Sequence, residues 1–204
     1  YEATMKVKCC LVLFLVSYSD CTHFIKRPWF SSTNTSPTEQ RSCGSSSEGT
    51  SGSRIVGGEE VKRGRFPWFA AFVRKADVND LNVICGGTLI SQRHVLSAAH
   101  CFQSYRPENL YRVVFNLIDR CDRQSRKSLQ NAAVSKVQIH PDYSSESLKS
   151  DIAVITLTNS VSLEPVCLPP SNFNPLGDSD VIGFGSTRVK TQSAYPCVLQ
   201  KAVV

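Results

Sequence analysis

Between residues 68 and 157 the apolar residues fall into six short runs, and none repeats at the spacing of a helix face. The runs cover 68–74, 83–90, 94–97, 111–117, 134–139 and 151–157, with turns between them. Each is long enough for a strand and too short for an independent helix. Six strands at this spacing predict an all-β protein whose first unit is one small Greek-key barrel. The chain has 204 residues and is 41% hydrophobic, which is enough apolar surface to fill such a core.

Nine cysteines point to an oxidising compartment, because cytosolic thiols are kept reduced. The amino-terminal sequence agrees. Tyr1 to Thr4 precede Met5, which reads as the true start. Met5-Lys6-Val7-Lys8 is a positive lead-in, and residues 9–16 are an unbroken apolar run. Ser17 and Ser19 suit the small-residue positions before a signal-peptidase cut, so residues 1–21 read as leader and signal peptide. The run is too short to cross a bilayer, and the expected location is secreted and extracellular, with no membrane partner. Residues 22–54 form a Ser/Thr-rich pro-segment, too poor in apolar side chains to offset its ordering entropy. It holds one glycosylation sequon, Asn34-Thr35-Ser36, with Asn34 as acceptor. The 23 basic and 17 acidic residues give +6. These charges are scattered except around Arg120, Arg123, Arg126 and Lys127, which make either a surface for an acidic partner or a solvated loop. The aromatic interleaving and fold signatures of nucleic-acid binders are absent, so no nucleic-acid partner is expected.

Three ordered strings carry the chemistry. Cys85-Gly86-Gly87-Thr88-Leu89-Ile90-Ser91 comes first, then Leu96-Ser97-Ala98-Ala99-His100-Cys101, then Asp151-Ile152-Ala153-Val154-Ile155-Thr156-Leu157. A hydroxyl is a weak nucleophile at neutral pH. An imidazole can take its proton, and a buried carboxylate can fix the imidazole's tautomer. Together the strings resemble the trypsin-like, chymotrypsin-fold S1 serine proteases. The resemblance runs from Arg54 to Val204 and implies His100 as general base and Asp151 as its orienting group.

The same resemblance implies a double β-barrel, with the first barrel complete and the second only begun. Residues 55–204 are then an incomplete protease domain. Barrel one spans 55–162, the inter-barrel crossing 163–176, and the start of barrel two 177–204. Runs at 181–184 and 197–204 read as the first hairpin of barrel two, whose open edge has nothing to pair with. Arg54-Ile55-Val56-Gly57-Gly58 resembles the family's activation junction. Cutting after Arg54 would free the Ile55 ammonium to turn inward and pair with an aspartate beside the nucleophile. The implied partners are protein substrates, an activating trypsin-like protease and protein protease inhibitors.

The family pattern also implies disulfides Cys85–Cys101 and Cys43–Cys167. Cys121 and Cys197 are left over. Their loops are neighbours in the family fold, so they either bridge or remain free for partners elsewhere. No cofactor and no metal are expected. His94 and His100 are spaced for neither a helix nor a strand face, and Leu117 stands where calcium-binding relatives place a glutamate. His140 in His140-Pro141-Asp142-Tyr143 matches a structural turn of the family.

The nucleophile is missing from these 204 residues. Gly177-Asp178-Ser179 imitates its motif, but Asp180 follows where two glycines and a proline belong. Those glycines let backbone amides approach the substrate oxyanion, so Ser179 is expected to be a decoy. The expected function is a secreted serine endopeptidase zymogen whose serine lies beyond Val204, leaving this stretch inactive alone. The alternative is a non-catalytic serine protease homologue that binds or regulates. A binding relative has no chemical need for an imidazole–carboxylate pair, which favours the enzyme.

Overall fold

The computed structural model describes residues 43–44, 59–75, 81–103, 111–122, 124–170, 173, 178–186 and 195–204. Residues Asn34, Arg54 and Ile55 therefore lie outside the described residues. The described chain forms nine strands: β1 (Glu59–Glu60), β2 (Phe69–Arg74), β3 (Val83–Ser91), β4 (His94–Ser97), β5 (Tyr111–Phe115), β6 (Gln130–Ile139), β7 (Ala153–Leu157), β8 (Asp180–Gly183) and β9 (Gln200–Val203). Two 3-10 turns are described in full, at Ala99–Cys101 and Ser125–Ser128.

Strands β2 to β7 close into an antiparallel barrel in the order β2-β3-β4-β7-β6-β5, with β5 returning to β2. Register shifts at Phe72/Val73, Leu89/Ser91 and Val134/Lys136 supply the local bends that closure needs. β5 stops earlier than the apolar pattern predicts. Asn116 takes a left-handed φ of 61°, which asparagine tolerates, and the strand ends there. β6 begins earlier than predicted: Gln130 and Asn131 are polar, yet they pair with Phe115 and Val114.

The barrel interior holds Ala70, Phe72, Leu89, Val95, Val113, Phe115, Ile155 and Leu157, with Phe102 and Tyr111 closing one end. Phe72 meets Phe102 edge-on at 5.1 Å, and Phe102 meets Tyr111 edge-on at 5.3 Å. Strand β2 is buried on both faces. Ala70 and Phe72 point inward, whereas Phe69, Ala71 and Val73 join a second cluster with Val61, Val114, Leu117, Phe184 and Leu199. That cluster joins the outside of the barrel to a separate three-stranded sheet, β1-β9-β8. It explains why Phe69-Ala70-Ala71-Phe72-Val73 is apolar without alternation.

The small sheet corrects one expectation. β8 and β9 do pair as a hairpin, but the β9 edge is covered: Glu59 pairs with Lys201 and Glu60 with Gln200. The sequence reading passed over β1 because two consecutive glutamates carry no strand signal. Among the described residues, the outer edges of β1 and β8 are the unpaired edges of this sheet.

His94 opens β4, with Nδ1 2.7 Å from the Ser91 hydroxyl. Its pKa is pushed below the ordinary histidine value of 6.5, first by burial and then by the Arg93 charge. A lowered histidine pKa favours the neutral ring in the fold. The stability this contributes is complete above the unfolded value and is lost as pH falls through the folded one. A His94→Gln variant should therefore lose less stability than the parent between pH 7.5 and pH 5. Urea midpoints at the two pH values check this, and equal losses would refute it.

Candidate active site

The two ends of the barrel ladder explain how residues 51 positions apart meet. β4 runs antiparallel to β7, and Ser97, its last residue, pairs with Ala153, the first residue of β7. His100 follows β4 in the 3-10 turn Ala99–Cys101, and Asp151 stands two residues before β7. Both side chains thus emerge at one rim. Asp151 is fully buried and uses both oxygens on one neighbour: Oδ1 accepts the His100 backbone N–H at 2.8 Å, and Oδ2 lies 2.6 Å from Nδ1. With a carboxylate there, Nδ1 carries the proton and Nε2 presents a lone pair. The His100 side chain is 15% exposed, so the ring edge still reaches solvent.

The surroundings hold that geometry. Cys85–Cys101 ties β3 to the turn bearing His100, and Cys101 Sγ lies 3.7 Å from Nε2. The buried Ser97 hydroxyl donates to Gly86 O at 2.7 Å. Leu148 and Ser150 both adopt left-handed φ, 55° and 52°, immediately before Asp151. Such conformations cost on the order of 1 kcal/mol each and persist where the surroundings enforce them. The Ile152 N–H donates back to Ser150 O at 2.8 Å, and the His140 N–H donates to Ile152 O at 3.0 Å. His140 Nδ1 accepts the Asp142 N–H at 3.0 Å, so this buried ring braces the segment that presents Asp151. The Tyr143 hydroxyl donates to Gln103 Oε1 at 3.1 Å; burial first, then the Asp151 charge, pushes its pKa up. Sequence reasoning missed Leu148 and Ser150, since neither residue type announces a left-handed backbone.

Ser179 lies beside β8, where it exchanges backbone hydrogen bonds with Val204 at 2.8 and 2.9 Å. Cys85, His100 and Cys101 converge, as do Asp119, Cys121 and Cys197. In each group the cysteines are joined as a disulfide, so neither group offers a thiolate to a metal. His94 is held at the far end of β4 from His100, and Leu117 is buried in the second apolar cluster.

Cys121–Cys197 is a disulfide with a Cα separation of 5.3 Å, linking the loop after β5 to the segment before β9. Arg120 reinforces it, donating from Nε to Pro196 O and from Nη2 to Tyr195 O, both at 2.9 Å. One of the four clustered cations is thereby committed to the segment that leads into β9. Lys127 is exposed, Arg123 lies outside the described residues, and Arg126 stands in the 3-10 turn Ser125–Ser128. Cys43–Cys167 fastens the stretch around Cys43 to the irregular segment that follows β7, where the Gly44 N–H donates to Pro165 O at 2.9 Å. Gly44 has φ +72°, and an added Cβ would lie 3.2 Å from Cys167 Sγ.

A closed six-stranded barrel with an imidazole and a buried carboxylate at one rim is the arrangement expected of one half of a chymotrypsin-like fold. The Trypsin family matches residues 55–204. This chain belongs to the trypsin family. It is similar to ovochymase of Halocynthia roretzi, 34% identical over 165 residues, covering 74% of this chain and 10% of that protein. It is 31% identical over 135 residues to the venom peptide isomerase heavy chain of Agelenopsis aperta, covering 64% of this chain and 55% of that one. Phenoloxidase-activating factor 3 of Holotrichia diomphalia is 30% identical over 161 residues, with 69% and 45% covered. The chain thus spans between 10% and 55% of the length of these relatives. This trypsin-family protein is all-β in structure, with three disulfides among its described residues.

Proposed function

We propose that these residues belong to a secreted serine endopeptidase zymogen. In that reading His100 is the general base and Asp151 its orienting carboxylate, with the nucleophilic serine supplied by sequence following Val204. The observation that carries it is the pair of hydrogen bonds from Asp151 to one histidine, at 2.8 and 2.6 Å. The Nε2 lone pair takes the serine proton as the hydroxyl attacks a peptide carbonyl, and returns it to the leaving amine. Meanwhile Asp151 stabilises the imidazolium without accepting its proton. Extending the coding sequence past Val204 tests this. A Gly-Asp-Ser-Gly-Gly-Pro string supports the enzyme, and a replaced serine indicates the non-catalytic homologue. The 204 residues alone should take no label from a fluorophosphonate probe, since a base without nucleophile or oxyanion site does little. Labelling at Ser179 would overturn the assignment.

The same reading places activation at Arg54-Ile55. Limited trypsin digestion should give a new amino terminus, Ile55-Val56-Gly57, while Cys43–Cys167 keeps the pro-segment attached until reduction. Amino-terminal sequencing with reducing and non-reducing gels is the check. Cleavage elsewhere with Arg54 spared, or release without reductant, would refute it.

A further inference from the structure

The disulfide beside His100 sits where an imidazole can act on it. Cys101 Sγ lies 3.7 Å from His100 Nε2, and Cys85 Sγ, Cys101 Sγ and a ring nitrogen of His100 all fall within 4.8 Å of one another. Behind the ring, Asp151 Oδ2 lies 2.6 Å from Nδ1. A ring held at Nδ1 by a carboxylate and facing sulfur with Nε2 is suited to ionise a thiol, because thiolate and imidazolium stabilise each other. While Cys101 is bonded to Cys85, that capacity is latent.

The arrangement has anchors besides the disulfide. Cys101 stands between two fixed neighbours. His100 is held by Asp151 through both its backbone N–H and its ring. Phe102 is buried, and its N–H donates to Ala99 O at 3.0 Å. Cys85 is held in the barrel wall by its pairing with Phe72. Opening the S–S bond therefore leaves both backbones in place, and the sulfurs can part only by side-chain rotation. Cys85, His100 and Cys101 are each half-buried, so a small reagent can approach them.

We propose that Cys101 is a latent nucleophilic thiol, released when a dithiol reduces Cys85–Cys101 and then open to exchange with a low-molecular-weight disulfide. One thiolate of the dithiol attacks Cys85 Sγ, and the S–S electron pair leaves on Cys101 Sγ, where the protonated His100 ring stabilises it. The second thiolate of the dithiol displaces Cys85, which takes a proton from water. The dithiol supplies both electrons and ends as a disulfide. The Cys101 thiolate can then attack one sulfur of a small disulfide, forming a mixed disulfide and expelling the other half as a thiolate. A better-stabilised thiolate leaves faster, so His100 also speeds the reduction. This chemistry belongs to Cys101, His100 and Asp151 themselves and stands whether or not a serine follows Val204.

The test uses the full-length protein as wild type, His100→Gln, Cys85→Ser and the double variant of these two. Under native conditions with limiting dithiothreitol, followed by alkylation and peptide mass spectrometry, Cys85–Cys101 should open about tenfold more slowly in His100→Gln than in wild type. The exposed Cys121–Cys197 bond is the internal reference and should open at one rate in both. Cys85→Ser frees the Cys101 thiol without reductant. At pH 6 that thiol should displace iodide from iodoacetamide about tenfold faster than glutathione does, and the double variant should lose the excess. Mixed-disulfide formation with oxidised glutathione should follow the same order. Near-ultraviolet dichroism of each variant separates these rates from unfolding. Equal opening of Cys85–Cys101 in wild type and His100→Gln, or a Cys101 thiol no faster than glutathione, would overturn the proposal. Should Cys85→Ser fail to fold, the two reduction rates decide; should His100→Gln fail, the comparison of Cys85→Ser with glutathione decides.

Discussion

On the proposed function, exchanging Asp151 for asparagine should lower kcat of the full-length protein by about 10⁴-fold while leaving it folded. The reason lies in how both carboxylate oxygens are used. The His100 backbone N–H donates to Oδ1, and the ring Nδ1 faces Oδ2. An asparagine has one oxygen, and the backbone N–H claims it. The side-chain amide then donates toward Nδ1, which must give up its proton, so the ring carries hydrogen on Nε2 instead. A base already protonated at the working nitrogen accepts nothing from a serine. Steady-state kinetics on a peptide substrate, with a melting curve to verify folding, are the measurement. A loss under tenfold would mean that Asp151 does not set the tautomer.

A larger structural effect is expected at Gly87. A Cβ built there would lie 2.7 Å from Phe72 Cε2, 2.9 Å from Leu96 O and 2.9 Å from Val95 Cγ1. The carbonyl belongs to the strand that leads to His100 and cannot move without distorting it. Both side chains are fully buried in the barrel interior. Gly87→Val should cost on the order of 5 kcal/mol, comparable with the whole stability of a domain this size. The expected result is insoluble or molten protein, seen as lost near-ultraviolet dichroism. A cooperative unfolding transition near the parent midpoint would refute the packing argument. The neighbouring Gly86 provides a control: its added Cβ meets only Phe69 Cε2, at an ordinary 3.6 Å. Gly86→Ala should therefore be tolerated.

The barrel was legible because burial and periodicity agreed in its strands. Runs such as Tyr111–Phe115 and Ala153–Leu157 are β-branched, apolar and the right length. Departures came where tertiary contacts overrode local preference. Gln130 and Asn131 extend β6 because Phe115 and Val114 offer a ladder, not because amides favour strands. Glu59 and Glu60 form a strand for the same reason, helped by a lysine 142 positions away. The pairing of His100 with Asp151 followed from ordered motifs. The turn built on His140 was expected from His140-Pro141-Asp142-Tyr143, whereas the left-handed residues behind Asp151 follow from no motif. Arg120 shows the limit of counting charges: by sequence it is one cation of a basic cluster, yet it is spent on two backbone carbonyls of the segment leading into β9.

The two-sided burial of β2 and β5 has a bearing on tolerance in the reaction geometry. His100 and Asp151 are aligned within one barrel, but on the proposed function a serine carried by the other half would reach Nε2 only as accurately as the halves are seated against each other. The seat is the apolar contact of Ala71, Val73 and Val114 with Val61, Phe184 and Leu199. Proton transfer needs heavy atoms about 3 Å apart, and an error of about 1 Å can cost a hundredfold in rate. On that reading the buried methyl group of Ala71 would act as a machinist's shim, its thickness rather than any chemistry of its own helping to set the gap across which a proton moves.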